Sequence, residues 1–390
     1  MPYPSPVPAS DVELLHLLRN TPEILNQVGG SMLPELQLQQ QLRQVYPDAL
    51  VRAAMTLVDL RRKAAVKFSR AEEMWFDRQG LEQATSETVA RHKARRFTGE
   101  VVDLCCGIGG DSLALATRGP VLAVDASPAQ CLRTGWNVAV YGGEQNLETR
   151  CSDVYQFDIS DRLVHIDPDR RATRQRVVRI EDYVPGLEYL QQLIEQARGG
   201  AIKLSPAANF GGKFPAAEVE LISLHGECKE ATIWFGELAG PESWRATVLP
   251  AGLTIAGDPL AWAAELTAPQ QYIYDPDPAV VRAGLVDVTA GELKLDRLDA
   301  SEEYLTSSQP VNSPFVQTFE LLAELPNNLR EIRGYFRSSP AGQVEIKCRR
   351  IPTNAEEIRR KLPLPGDEPR VLIFARVAGR ARALVCRRLS

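Results

Sequence analysis

The sequence predicts an α/β protein in which a doubly wound parallel sheet is preceded by a helical region and followed by a small α+β domain. Three observations lead to that class. From Gly99 the short apolar runs VVDLCC, VLAVD, LVHID, GAIKLS and EATIWF alternate with helical stretches, as parallel βαβ units require. Ahead of them, apolar residues recur at spacings of three and four. After about Pro269, strand-like runs and short helices mix without that alternation. The expected organisation is a helical region over 1–98, a sheet domain over 99–269 and an accessory domain over 270–390.

Along the chain, DVELLHLLRN and ELQLQQQLRQV read as amphipathic helices, the first capped by Ser10 or Asp11. VRAAMTLVDLRRKAAVKF continues in the same style. In the last third, YIYDPDPAVVRAGLVD reads as a turn leading into a helix, and AEEIRRKL reads as a helix. PVNSPFVQTFELL, GQVEIKCRRIP and RVLIFARV complete an α+β pattern there. No apolar run approaches the roughly 18 residues of a membrane span. The start, MPYPSPVPASDVELL, lacks the basic-then-apolar order of a signal peptide. Seven scattered cysteines without a C-x-x-C pair point to the reducing cytoplasm. His16, His92, His165 and His225 lie far apart, so no metal site is expected. From Pro326 to Ser390 there are 15 Lys and Arg against 6 Asp and Glu, although the whole chain is at −5. Such a tail suits an anion such as RNA, or a solvated basic face.

The chemistry concentrates in VVDLCCGIGGDSLALATRGPVLAVD, Val101 to Asp125: a strand, a glycine turn, a short helix and a second strand ending on an acid. A nicotinamide-binding turn runs G-x-G-x-x-G after its strand. Here the run is D-L-C-C-G-I-G-G-D, with Asp103 before the turn and Gly107, Gly109 and Gly110 in it. That arrangement resembles motif I of the class I S-adenosylmethionine (SAM)-dependent methyltransferases. The glycines let the backbone approach a cofactor closely. Asp103 is placed to organise the loop and to meet the amino group of an amino-acid moiety. Asp125, 22 residues on, is placed to bond ribose hydroxyls. Asp153 in RCSDVYQFD follows the third strand, where a carboxylate in this fold can accept an adenine amino group. Cys105 and Cys106 read as small packed residues rather than nucleophiles.

LVHIDPDRR supplies a fourth strand ending in Asp167-Pro168. In class I enzymes this strand end lies beside the transferable methyl group, where the acceptor atom sits. Methylases of exocyclic base amines often carry an aromatic residue just after such an Asp-Pro step. Here Asp169 and Arg170 follow instead, and Arg170 with Arg171 is expected to clamp a phosphate.

LEQATSETVA, VVDLCCGIGGD, HIDPDRR and IKLSP, with YIYDPDPAVVRAG and IPTNAEEIRRKL further on, together resemble bacterial class I SAM-dependent methyltransferases that carry a C-terminal THUMP-like domain. The resemblance runs from about residue 70 onward. A more distant similarity links the catalytic half to the methyltransferases that hypermethylate RNA cap guanine at N2, which have D-P-P-W where this chain has D-P-D-R. The resemblance implies a Rossmann-like core, SAM as cofactor and RNA held by the C-terminal domain. It also implies that Gln83, with Glu82 nearby, closes over the methionine end of the cofactor. Lys203, Ser205 and Pro206 end the fifth strand at the active-site rim, with Lys203 expected to meet a phosphate. Phe210 in NFGGKF is the preferred aromatic for stacking on a base, ahead of Trp75, Phe76 and Trp262. In the tail, Arg349, Arg350, Arg359, Arg360 and Lys361 are the expected docking charges. The expected activity is methyl transfer from SAM to an RNA base, with Asp167, Pro168 and Arg170 as the catalytic set. A methyltransferase of protein or small molecule, and a SAM- or RNA-binding protein without catalysis, are the alternatives.

Overall fold

The computed structural model describes residues 10–170 and 179–389. The chain divides into two compact units, Met1–Ala217 with Ile233–Ala239, and Glu218–Thr232 with Gly240–Ser390.

The first unit opens on α1 (Asp11–Arg19), capped by Ser10. The Ser10 hydroxyl accepts the Glu13 N–H while the Glu13 carboxylate accepts the Ser10 N–H. With α2 (Pro22–Gly30), α3 (Glu35–Leu42) and α4 (Asp48–Ala64), it shares one apolar cluster in which Leu18, Ile24, Leu42 and Val51 are buried. Two short helices, α5 (Arg78–Gln83) and α6 (Glu87–Ala94), then lead into the sheet.

Strand β1 (Val101–Leu104) is followed by α7 (Ser112–Leu115), β2 (Val121–Asp125), α8 (Pro128–Val140), β3 (Leu147–Cys151), β4 (Leu163–Ile166), α9 (Leu187–Gln196) and β5 (Gly199–Leu204). The five strands are parallel and ordered β3-β2-β1-β4-β5. Every residue of β1, β4 and β5 is buried, which is why these runs are apolar without alternation apart from Asp103, His165 and Lys203. Strand order reverses between β1 and β4, and in open α/β sheets the ligand crevice lies at such a reversal. Two further strands are β6 (Glu218–Leu224) and β7 (Glu227–Gly236). The division between the units falls within β7, whose last residues, Ile233–Gly236, belong to the first unit beside β5. Trp234 is fully buried there, with the Arg96 guanidinium 4.4 Å above its ring.

In the second unit, β6 runs parallel to β8 (Trp244–Leu249), and β8 pairs antiparallel with β9 (Leu253–Gly257). This unit therefore begins well before residue 270. The sequence suggested only a turn at YIYDP, since its Asp-Pro steps look like turn punctuation. The residues instead form β10 (Tyr272–Pro276), which Pro276 ends. Asp277 then caps α10 (Pro278–Ala283), and α11 (Val286–Leu293) follows. The remainder is β11 (Asp296–Arg297), β12 (Leu305–Ser307), β13 (Val316–Pro326), α12 (Leu329–Arg337), β14 (Ala341–Cys348), α13 (Ala355–Lys361), β15 (Glu368–Val377) and β16 (Arg380–Arg388). These strands order as β11-β12-β10-β13-β16-β15-β14, antiparallel except for β14 beside β15. Along β15, Val371, Ile373 and Ala375 enter one core while Leu372 and Phe374 enter another. The second core receives Ile332 and Phe336 of α12. Side chains alternate across a strand, so a strand covered on both faces is apolar throughout. Among the described residues no helix is long and apolar enough to cross a membrane.

Candidate active site

A cavity of about 380 Å³ opens in the first unit at the carboxyl ends of β1, β2 and β4. Gln83, Asp103, Gly107, Asp125, Asp153, Asp167, Pro168 and Arg170 line it. Gly109, Lys203 and Phe210 are absent from its lining, and Arg171 lies outside the described residues.

The glycine turn is built by left-handed backbone. Cys105 and Gly107 both take φ of +56°, so the chain doubles back directly after β1. This aims the Gly107 N–H at Asp125 Oδ2 (2.9 Å), while the Ser127 N–H meets Oδ1 (2.9 Å). Enclosure raises the Asp125 pKa, and those two donors oppose the rise. Each of its oxygens thus has one backbone donor and further accepting capacity toward the cavity. Gly109, at φ +82°, faces α8 instead. A Cβ there would come 3.1 Å from Thr134 Cα, so this glycine serves packing of the turn rather than cofactor approach.

Beneath the turn lies a buried polar network whose members sequence reasoning left apart. Asp103 and His165 are each 1 % exposed, and His165 Nδ1 donates to Asp103 Oδ1 at 2.7 Å. The Ser112 hydroxyl donates to the other Asp103 oxygen. Lys93 Nζ pairs with Asp111 Oδ1 at 2.8 Å and stands 3.4 Å from His165 Nε2, while the Thr85 hydroxyl donates to Asp111 Oδ2 at 2.6 Å. Burial alone would depress the His165 pKa, but the Asp111 and Asp103 carboxylates outweigh it and the net shift is upward. Burial works against the Asp111 carboxylate as well, yet Lys93 and His165 hold its pKa below the usual range. Asp103, Asp111 and Thr85 all reach the cavity wall, which gives that end oxygen acceptors held in place by Lys93 and His165.

At the end of β4, Asp167 meets Lys203. The Lys203 ammonium donates to Asp167 Oδ2 (2.5 Å) and to the Gln83 carbonyl (2.9 Å), and the residue is 7 % exposed. Its role as a phosphate contact is therefore corrected: α5 covers the end of β5, and the cation is engaged inside. Gln83 Nε2 donates to Asp169 Oδ1 (2.8 Å), joined more weakly by Gln79 at 3.4 Å. Helix α5 is thus tied to both carboxylates of the D-P-D turn. It also lies close on the glycine loop, since a Cβ on Gly80 would stand 2.4 Å from Ile108 Cγ2.

The aromatic candidates fare differently. Phe210 is 3 % exposed and is corrected from stacking platform to core residue, its ring gaining more from burial than from display. Trp75 and Phe76 are buried too. The aromatic ring that does line the cavity is Tyr155, 57 % exposed and edge-on to Tyr189 at 5.0 Å. It sits two residues after Asp153, whose carboxylate accepts its N–H at 3.0 Å. That proximity was the available signal in RCSDVYQFD.

SAM suits these residues on chemical grounds. The cavity volume falls in the range of about 300–1,000 Å³ usual for small-molecule sites. One end offers an accepting carboxylate for hydroxyl groups, and the other offers buried carboxylates for an ammonium.

Comparison with known proteins agrees. The RNA cap guanine-N2 methyltransferase family model matches residues 98–193, and a THUMP domain-like model matches residues 316–388. Uncharacterized SAM-dependent methyltransferases from two strains of Mycobacterium tuberculosis are 34% identical over 349 residues, covering 84% of this chain and 94% of theirs. A crystal structure described as a methyltransferase from Porphyromonas gingivalis has the same fold, with a TM-score of 0.74 at 20% identity over 98% of this chain and 100% of that one. The chain belongs to the SAM-dependent methyltransferases and carries a THUMP-like domain at its C-terminal end.

Proposed function

We propose that this methyltransferase modifies a base in RNA, the THUMP-like domain holding the substrate. The reading rests chiefly on Asp167, set in the cavity wall at the end of β4 and bonded to Lys203. SAM supplies an electrophilic methyl group on a sulfonium. The chain must hold an acceptor atom in line with it, close and shielded from water. Asp125 would bond the ribose hydroxyls, and Asp153 with Tyr155 would flank the adenine. Asp103 and Asp111 would face the methionine ammonium, with Gln83 of α5 closing over that end.

Asp167 would accept hydrogens of the acceptor group through the oxygen that Lys203 leaves open, and take up its proton. Its enclosure raises its pKa against the pull of Lys203, so it is a stronger proton acceptor than an ordinary aspartate. Pro168 fixes the backbone that presents it, and Arg170, with Arg171, would meet a substrate phosphate at the rim. The described cysteines are all unpaired thiols, in keeping with a cytoplasmic enzyme. Tritium transfer from labelled SAM into a fractionated RNA pool, followed by nucleoside analysis, tests the reading. Label found only in protein or in small molecules would overturn it.

A further inference from the structure

Just over half of the basic tail's cations are paired in the fold. Among the described residues, eight of its cations sit in ion pairs, several with acids from earlier in the same unit. Lys347 and Arg349 share Asp275, and Arg350 meets Glu303. Arg382 and Arg387 meet Glu324 and Glu320 across the strands, and Arg388 meets Glu345. Lys361 and Arg370 pair locally with Glu357 and Glu368. Arg359 donates to the Val344 carbonyl. The docking charges expected from the sequence are therefore largely engaged.

Of the seven tail cations outside those pairs, Arg359 and Arg360 lie on α13, Arg376 on β15 and Arg380 on β16, while the other three share one helix. Arg330, Arg333 and Arg337 are exposed on α12 and form no such pair among the described residues. Spacings of three and four residues put them on one flank of the helix, where like charges repel. Ile332 and Phe336 are buried and fix the rotation of the helix, so that flank is held outward. Glu331 lies about 100° round the helix from Arg330 and cannot compensate the row. Leu329 lines a groove of about 220 Å³ with Thr353, Asn354, Glu357, Ile358 and Lys361, and none of the three arginines is in its lining.

We propose that this flank of α12 is the phosphate-contacting surface of the RNA docking site; the assignment rests on the RNA reading given above. Seven residues of helix span about 10 Å, a reach long enough for the row to contact more than one phosphate of a strand. Guanidinium forks bond phosphate oxygens in pairs, and arginine is the residue suited to that geometry. Three such contacts contribute roughly −2 to −3 to the slope of log affinity against log salt.

The test is fluorescence anisotropy of the full-length protein with a labelled transfer-RNA pool over a salt series. Changing Arg330, Arg333 and Arg337 together to Gln keeps helix propensity and removes the charges. The expected result is a slope reduced by about 2–3, affinity at low salt weaker by tenfold or more, and unchanged SAM affinity and melting temperature. Arg333→Gln alone should lower the slope by about one. Arg380→Gln, also exposed and unpaired but on β16, should leave it unchanged. A triple variant with the wild-type slope overturns the α12 assignment and leaves the RNA reading standing. A wild-type protein that shows no salt-dependent RNA binding overturns both. Competition by polyglutamate as effective as by RNA would make the partner an acidic protein and overturn the proposal.

Discussion

Enclosure by the protein raises the Asp167 pKa from its ordinary value, while the Lys203 ammonium opposes that shift. Turnover that needs the ionised form should therefore decline, as pH is lowered, sooner than an ordinary aspartate would cause. Lys203→Met should move this acidic limb further upward, because the opposing cation is gone; a kcat–pH profile of the two proteins checks it. Asp167→Asn should lower kcat by about 10²–10⁴-fold, the usual contribution of a placed proton acceptor, with SAM affinity nearly intact. Calorimetry and single-turnover rates separate the two effects. Asp125→Ala should behave oppositely, weakening SAM by about 1.5–3 kcal/mol, or roughly ten- to hundredfold, for each charged hydrogen bond lost. Titration calorimetry with SAM measures it directly.

Helix α5 and the network around His165 are the elements that line one end of the cavity with Gln83, Asp103 and Asp111. Gly80 has no room for a side chain against Ile108. Gly80→Ala should push α5 off the glycine loop, disturb Gln83 and Lys203 together, and weaken both SAM binding and turnover. His165 has a raised pKa, so its contribution to stability is complete below about pH 6.5 and is lost as pH rises through the raised value. His165→Asn should remove that part of the pH dependence. It should also destabilise the unit by roughly 3–5 kcal/mol, since a neutral amide replaces the cation set between the buried Asp103 and Asp111 carboxylates. Melting curves from pH 6 to 9 on both proteins test this. The strand–turn–helix frame and its two acids were legible because their residues are close in sequence and chemically distinctive. The network was not. Lys93, Asp111 and His165 look like ordinary surface residues in the sequence, and only the sheet brings His165 to Asp103, 62 positions away. Lys203 misled for the same reason: its partners lie 36 and 120 positions off.

For the whole molecule, charge and chain path both depart from what linear order suggests. The acids that neutralise the tail, Asp275, Glu303, Glu320 and Glu324, lie outside it in sequence and inside the same unit in space. The N-terminal helices were legible from periodicity, and the accessory sheet in part, from the runs that became β13, β14 and β15 but not from YIYDP. The division between units was not, because EATIWF looks like a single strand belonging to one place. A chain ending at Ala217 lacks Ile233–Ala239 and with it Trp234. Losing a buried tryptophan alone costs about 3–5 kcal/mol. Such a chain should melt far below the full-length protein and expose dye-binding apolar surface, as circular dichroism and dye fluorescence would show.

The split of β7 also has a consequence on the ribosome. The first unit cannot close when Ala217 emerges, because its last strand segment has not yet emerged. At about 5–20 residues per second, the 22 residues from Ala217 to Ala239 take roughly 1–4 s to make. Through that interval the nascent sheet holds β5 as a bare edge, able to pair with any other unfinished chain. A chaperone that shields this edge has to act for seconds, and its release can be timed by the arrival of one tryptophan.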